Sequence, residues 1–435
     1  MLQRNWFIVT TAPRLAALTG VCILLAAGCN KKKADDGAKP ADKAGDKAAD
    51  KPGTTAGDSG TPGITATEIK IGQSMPYSGP ASAYGVIGKS EVAFFKMIND
   101  KGGINGRKVN LISLDDGYNP AKAVEQTHKL VENEGVAFVF NSVGTANNIA
   151  VQKYLNEKKV PQVFVATGAD RWGDPEHFPW TIGWQPSYRT EAQIYSKYLM
   201  KEKPAAKMCV LFQNDDFGKD YLKGLQEGLG DKYEKVVIKT ASYEATDPTI
   251  DSQIVTLQGA GCDTLLVAAT PKFGAQAIRK VSDLGWKPLF FMSNVSVSLT
   301  SVLKPAGLDK STGILTGAYA KDPSDPAMAS DAGMNEYRAW AGKYLPDVDP
   351  NDVNAVYAFA VGTTLTQVLT ACGTDLSRAN VMKQAASLKA ATAPVLIQGI
   401  EMSTSATDFR PIQQMQLRRF NGTNFEPFGE VLAGS

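Results

Sequence analysis

The stretch from Ile69 to Gly103 reads IKIGQSMPYSGPASAYGVIGKSEVAFFKMINDKGG and holds one complete strand–loop–helix unit. Its apolar run Ile69–Ser74 predicts a strand that is covered on both faces. A loop rich in Gly, Pro and Ser follows, and Ser82–Asp100 predicts a helix because its apolar residues recur along one side at helical spacing. The glycines after Lys101 are typical of a helix end. Such units build parallel α/β sheets.

The same unit recurs along the chain in two series. The further predicted strands are Lys108–Leu114, Val136–Asn141 and Val160–Val165 in the first series, and Met208–Gln213, Lys235–Thr240, Thr264–Ala268 and Leu289–Met292 in the second. The helices between them are Pro120–Asn133, Thr145–Lys158, Phe217–Leu229, Pro248–Ala260 and Pro271–Leu284. Asn119 and Asp247 each precede a proline, and we expect both to cap the helices that start there. Two such series predict two parallel sheets.

Beyond Lys321 the pattern changes to helices, followed by two strand-like runs. The helices are Ala327–Tyr344, Pro350–Ala371 and Ser377–Leu388, and the runs are Val395–Met402 and Ile412–Phe420. We therefore predict an α/β fold of two doubly wound parallel-sheet lobes, with the chain returning through both of them.

The N-terminus predicts export and a lipid anchor. Arg4 and Arg14 precede an apolar stretch, Leu15–Ala27, that is too short for a comfortable membrane span and fits a signal peptide. The stretch runs into Gly28-Cys29, which looks like a lipobox, the pattern at which bacterial lipoproteins are cleaved and acylated. We predict a signal peptide over residues 1–28 and a lipid on Cys29. Residues 30–63 contain no Val, Ile, Leu, Phe, Tyr or Trp, so 29–63 is predicted to be a disordered tether.

Charge and composition exclude several functions. Lys plus Arg total 46 against 44 for Asp plus Glu, so no basic excess points to nucleic acid. Only His128 and His177 are present, which makes a zinc site unexpected, and we predict neither a metal nor a cofactor. Once the signal is removed and Cys29 is acylated, Cys209, Cys262 and Cys372 remain. The first two could form a disulfide, or all three could be buried free thiols.

Candidate binding loops follow from the predicted sheets. Ligands bind beyond the carboxyl ends of strands in open parallel α/β sheets, and helix N-termini there suit an anion. The loops at these ends are Met75–Gly85, Ser142–Thr145, Ala166–Trp172, Asn214–Gly218, Ala269–Phe273 and Ser293–Ser296.

At these loops the chain resembles the branched-chain-amino-acid-type substrate-binding proteins of ABC transporters, which have the type I periplasmic-binding-protein fold. The segments that carry the resemblance are Ile71–Gly72, Pro76–Pro80, Ala83–Gly85, Ile98–Gly106, Asp115–Asp116, Asn119–Ala121, Phe217–Gly218 and Gln276–Arg279 with Gly285. The resemblance implies a hinge of three crossovers, which we place near Trp184–Ser187, Gly317–Lys321 and Gln398–Met402. One lobe would then comprise residues 64–186 plus 321–398, and the other 187–320 plus 399–435.

The resemblance also implies the ligand-binding residues. The family's carboxylate-binding serine falls on Gly144, so the hydroxyl at this loop comes from Thr145 or is missing, and Thr145 could instead cap its helix. The remaining implied residues are Tyr84, Ala166, Thr167, Gly168, Phe217, Thr270, Phe273 and Asn294. Relatives that bind amino acids carry an acid near Asn294 to pair with the ligand ammonium, and Phe291–Ser296 contains none. An unpaired buried ammonium is costly, so we expect a carboxylate or amide without an amine.

These observations favour a solute-binding protein over an enzyme. No G-x-S-x-G, P-loop or G-x-G-x-x-G motif follows a predicted strand. The resemblance implies that the protein delivers a small organic solute to an ABC permease with ATPase subunits. Together with the predicted anchor, this gives a lipoprotein that faces the periplasm or the cell exterior, and we expect it to be a monomer. The alternative is a ligand-sensing module of a signalling pathway with the same fold.

Overall fold

The first of two sheets is fully parallel. The structure is a computed structural model, and it describes residues 60–434. The strands of this sheet lie in the order β2-β1-β3-β4-β5. Their bounds are β1 Glu68–Met75, β2 Lys108–Asp115, β3 Val139–Phe140, β4 Gln162–Val165 and β5 Thr181–Gly183. Strand β1 pairs along its whole length with the edge strand β2, from Glu68 opposite Lys108 to Met75 opposite Asp115.

The second sheet has seven strands, in the order β12-β11-β10-β9-β8-β6-β7. Their bounds are β6 Met208–Gln213, β7 Val237–Tyr243, β8 Thr264–Ala268, β9 Leu289–Met292, β10 Leu315–Ala318, β11 Gln414–Phe420 and β12 Phe425–Ala433. Strands β6 to β10 pair in parallel, whereas β11 is antiparallel to both β10 and β12. The fold class predicted from the sequence, two mainly parallel α/β lobes, is confirmed.

Twelve α-helices surround these sheets in the described part of the chain. In chain order they are α1 Gly85–Asp100, α2 Pro120–His128, α3 Thr145–Glu157, α4 Tyr188–Glu202, α5 Asp216–Leu229, α6 Tyr233–Val236, α7 Asp251–Gly259, α8 Pro271–Asp283, α9 Lys304–Ala306, α10 Ala332–Tyr344, α11 Val353–Ala371 and α12 Arg378–Ala385.

The chain returns to the first sheet after it has built most of the second. Helix α11 packs along α1, and Gly362 makes this approach possible, because a Cβ there would lie 2.7 Å from the Phe94 ring. Phe359 meets the same ring edge-on at 5.5 Å between centroids. The chain therefore passes between the sheets three times, between β5 and α4, between β10 and α10, and between α12 and β11.

Several predicted element bounds were wrong. Val395–Met402 forms no strand, because Gly399 turns the backbone with φ +86° and only isolated bridges involve this segment. Lys235 lies in α6, and the strand predicted there begins at Val237. Asp247 does not cap α7, since its carboxylate accepts the backbone N–H of Glu244 instead. Strands β5, β10 and β12 and helix α4 were not predicted.

One predicted helix cap is confirmed, and the structure decides between the two alternatives left open for the cysteines. The Asn119 side chain accepts the backbone N–H groups of Ala121 and Lys122, so it caps α2 as its sequence indicates. Cys209 and Cys262 form a disulfide between the neighbouring ends of β6 and β8, with their Cα atoms 5.8 Å apart.

The start of the folded part differs from the prediction by a few residues. The Gly63 carbonyl accepts the Lys70 N–H at 2.7 Å, so the last residues of the predicted tether already belong to the fold. The predicted signal peptide, Cys29 and the rest of the tether lie outside the described residues. Across residues 60–434 no helix is both long and apolar enough to cross a membrane.

Candidate ligand-binding site

A cavity of about 850 Å³, part of it open to solvent, lies where strand ends of both sheets face each other. Eight of the ten ligand-binding residues predicted from the sequence line it. They are Tyr84, Gly144, Thr145, Ala166, Thr167, Phe217, Thr270 and Asn294. They lie in the segments that follow the carboxyl ends of β1, β3, β4, β6, β8 and β9, which is where open parallel sheets place their ligands.

The other two predicted residues do not line this cavity. Phe273 is fully buried, and its ring packs on Tyr243 with the centroids 4.3 Å apart, because the first turn of α8 directs it into the core of the second lobe. Gly168 lies against the link into α4, where its carbonyl accepts the backbone N–H of Tyr188 at 2.7 Å. Neither placement matches a direct ligand contact.

Two threonine hydroxyls meet at the first lobe's wall of the cavity. Thr145 Oγ1 and Thr167 Oγ1 lie 2.5 Å apart, and the Tyr188 hydroxyl is 3.3 Å from Thr167 Oγ1. Thr145 does not cap α3, because Gly144 occupies the cap position and Thr145 is the first helical residue. Its hydroxyl instead belongs to this polar cluster, whose members can both donate and accept hydrogen bonds.

Glycine at position 144 is required by the backbone. Its φ is +104°, and a Cβ would lie 2.8 Å from the Tyr118 ring, which also lines the cavity. A serine at this position would be strained as well as crowded. The backbone and the Tyr118 ring of this protein therefore favour glycine at position 144.

A tyrosine joins the two lobes across the cavity. The Tyr84 hydroxyl, at the start of α1, donates to the backbone carbonyl of Val295 beyond β9 at 2.9 Å. On the same wall of the second lobe, the Phe217 ring meets Tyr188 at 4.7 Å between centroids. Contacts between residues far apart in sequence thus form this part of the cavity wall.

An acid that the sequence analysis missed lies behind Asn294. Glu191, on the unpredicted helix α4, is fully buried and accepts the Asn294 backbone N–H at 2.9 Å and the Tyr221 hydroxyl at 2.7 Å. The Asn294 side-chain amide and the Tyr195 hydroxyl also donate to it. Burial raises the pKa of the Glu191 carboxyl, and these hydrogen bonds oppose that rise. Both carboxylate oxygens are thus occupied by protein donors.

The charged residues that line the cavity are cations. Lys321 and Arg418 are both part of its wall, and no Asp or Glu from the described residues is. Lys321 belongs to a predicted crossover segment. Arg418 lies in a predicted strand, and nothing in the sequence indicated that this strand contributes to a binding site. Tyr319 and Tyr357 complete the wall on this side. No cluster of His, Cys, Asp and Glu suited to a metal ion occurs in the part of the chain that the structure describes.

Two α/β lobes with a cavity between their strand ends define the class of solute-binding proteins that enclose a ligand between lobes. The sequence profile of one family, described as periplasmic binding protein, matches residues 68–424. The chain belongs to this family. Its members are substrate-binding proteins, so the prediction that the chain is not an enzyme is confirmed.

Named relatives agree with this assignment. A Leu/Ile/Val-binding protein homolog 1 from Brucella abortus is 24% identical over 325 residues, which cover 72% of this chain and 81% of that protein. A branched-chain amino acid ABC transporter protein from Thermus thermophilus, with bound valine, superposes with a TM-score of 0.76 at 16% identity, over 85% of this chain and 97% of that one. A solute-binding protein from R. palustris in complex with benzoate gives a TM-score of 0.71 at 20% identity, over 84% and 97%. These two structures share the fold.

Proposed function

We propose that the protein is an extracytoplasmic solute-binding lipoprotein that captures a small organic carboxylate or amide between its lobes and delivers it to an ABC permease. We infer the ligand class from the charge of the cavity wall, which among residues 60–434 contains two cations and no acid. A ligand ammonium would therefore be desolvated without a counter-charge, at a cost of several kcal/mol. The nearby carboxylate of Glu191 already accepts four protein hydrogen bonds.

The structural relatives support this range of ligands. The fold that holds valine in the Thermus protein holds benzoate in the R. palustris protein. The polar cluster of Thr145, Thr167 and Tyr188 supplies hydroxyl groups that can bind a carboxylate or an amide without any charge of their own.

Calorimetric titration with leucine, benzoate and benzamide tests the ligand class. We expect benzoate or benzamide to bind more tightly than leucine. Tight binding of leucine alone would contradict the proposal. Thr167→Val removes a hydroxyl that faces the cavity and should weaken binding about tenfold, which is the usual worth of a buried hydrogen bond. Thr256→Val, at an exposed position on α7, is the matched control and should leave affinity unchanged.

We propose lipidation of Cys29, because the lipobox-like pattern and the tether-like composition after it occur in the order that an anchor needs. Cells that produce the wild-type protein and are grown with a labelled fatty acid should contain the labelled protein in their membrane fraction. Cys29→Ser should abolish the label and release the protein. A labelled Cys29→Ser protein would contradict the proposal.

The lobe boundaries inferred above, 64–186 plus 321–398 and 187–320 plus 399–435, are likewise proposed as the two bodies that move on ligand binding. We propose that the protein acts as a monomer. Small-angle scattering with and without benzoate tests both points, since closure should reduce the radius of gyration while the molecular mass stays that of one chain.

A further inference from the structure

Arg418 is a buried cation in the wall of the cavity. It lies on β11, opposite Thr316 of β10, and 7% of its surface is exposed. Phe425 covers one side of the guanidinium, with the ring centroid 4.7 Å from the central carbon. Burial lowers the pKa of the Arg418 guanidinium, and Asp322 opposes this effect. A charge in this position requires anionic partners to offset its desolvation.

The protein itself satisfies little of this requirement. A guanidinium has five N–H donors. Within the described residues, Arg418 makes one hydrogen bond, from Nη1 to Asp322 Oδ2 at 3.4 Å, and its buried Nε–H has no partner. Charge-assisted hydrogen bonds between nitrogen and oxygen are normally about 2.7–2.9 Å long, so this contact is a long one.

Lys321, the second cation of the wall, differs in this respect. Its ammonium donates to both carboxylate oxygens of Asp331, at 2.9 and 2.8 Å, and to the Pro394 carbonyl at 3.0 Å. These three acceptor oxygens use all the donors of an ammonium. Donor capacity for a ligand anion therefore remains on Arg418.

We propose that Arg418 recognises the acidic group of the ligand, and that Asp322 competes with the ligand for it. The proposal rests on the proposed function and narrows its ligand class to monocarboxylates. The competitor keeps other partners of its own, because Asp322 Oδ1 accepts the backbone N–H and the hydroxyl of Ser324. A bound carboxylate thus takes up the donors that Asp322 leaves free and adds the charge that the buried guanidinium lacks.

The test compares acids with amides of the same shape. Wild-type protein and variants are titrated calorimetrically with benzoate and benzamide, and with hexanoate and hexanamide. The measured quantity is the preference for acid over amide, which is the Kd of the amide divided by the Kd of the matching acid. Asp322→Asn removes the competing charge and keeps an oxygen for Ser324, so it should increase this preference about threefold or more. Removing Arg418 alone would leave a buried carboxylate unpaired and destabilise the protein. The loss variant is therefore the double substitution Arg418→Met with Asp322→Asn.

The double variant should reduce the preference for acid over amide about 10- to 150-fold, the range for a hydrogen bond to a charged group. Arg419→Met is the matched control, because Arg419 is the next residue of β11 and is exposed, and it should leave the preference unchanged. Thermal unfolding establishes that each variant is folded. A folded double variant that keeps the wild-type preference would overturn the role of Arg418. Wild-type protein that binds none of the four compounds would count against the proposed function itself.

Discussion

The disulfide between Cys209 and Cys262 allows its contribution to stability to be predicted from the length of the loop that it closes. The two residues are 53 positions apart, so the bond closes a loop of that size in the unfolded chain. In the chain-entropy treatment, a loop of about 53 residues corresponds to about 4 kcal/mol of stabilisation at 25 °C. The perturbation is Cys209→Ala with Cys262→Ala, compared with wild-type protein that has been reduced.

The assay is equilibrium unfolding in urea, followed by fluorescence and by circular dichroism. We expect the oxidised wild type to exceed both the reduced wild type and the double variant by about 4 kcal/mol in the free energy of unfolding. Cys372→Ala is the control. Burial raises the pKa of the Cys372 thiol to about 12, and this cysteine forms no disulfide, so its variant should keep the full response to reductant. A change on reduction below about 1 kcal/mol would refute the reasoning, because it is far less than a loop of this length implies.

Two further predictions concern single side chains. Glu91 is fully buried, Gln73 donates to one of its oxygens, and the other has no partner among the described residues, so burial raises its pKa well above 4.5. Protonated Glu91 contributes stability that is fully present below the pKa of this carboxyl in the unfolded state. That stability is lost as the pH rises through its pKa in the folded state. Glu91→Gln should therefore gain stability relative to wild type as the pH rises from 5 to 8 in urea unfolding, and parallel pH profiles would contradict this. Tyr84→Phe removes the 2.9 Å hydrogen bond to Val295 and should weaken ligand binding about 2- to 13-fold in calorimetry, whereas Tyr154→Phe, which loses a surface hydroxyl contact, should not.

The repeating strand–helix pattern was predictable because it arises from interactions between close neighbours in sequence. The apolar stripe of α1 and the cap at Asn119 each depend on a few consecutive residues, and both appear in the structure as predicted. The same reasoning placed Thr167 and Asn294 at strand ends, and these two residues do face a common cavity.

Other features escaped local reasoning. Helix α4 was not predicted, and its Glu191 therefore could not be connected with Asn294, which lies 103 residues further along the chain. Phe273 was assigned to the site from the family resemblance, yet the direction of the first turn of α8 decides that its ring enters the core.

The sequence by itself determined the class of fold and the position of the loops that form the cavity, because hydrophobic periodicity, helix caps and glycine turns act over a few residues. The family was indicated separately, by the resemblance of short motifs in order along the chain. The tertiary structure alone decided the charge of the cavity. Arg418 meets Asp322 across 96 residues because β11 runs antiparallel to β10 in one particular register, and a register is set by packing across the whole sheet. Which polar side chains share a buried space, and which of their donors remain available, follows from that long-range pairing.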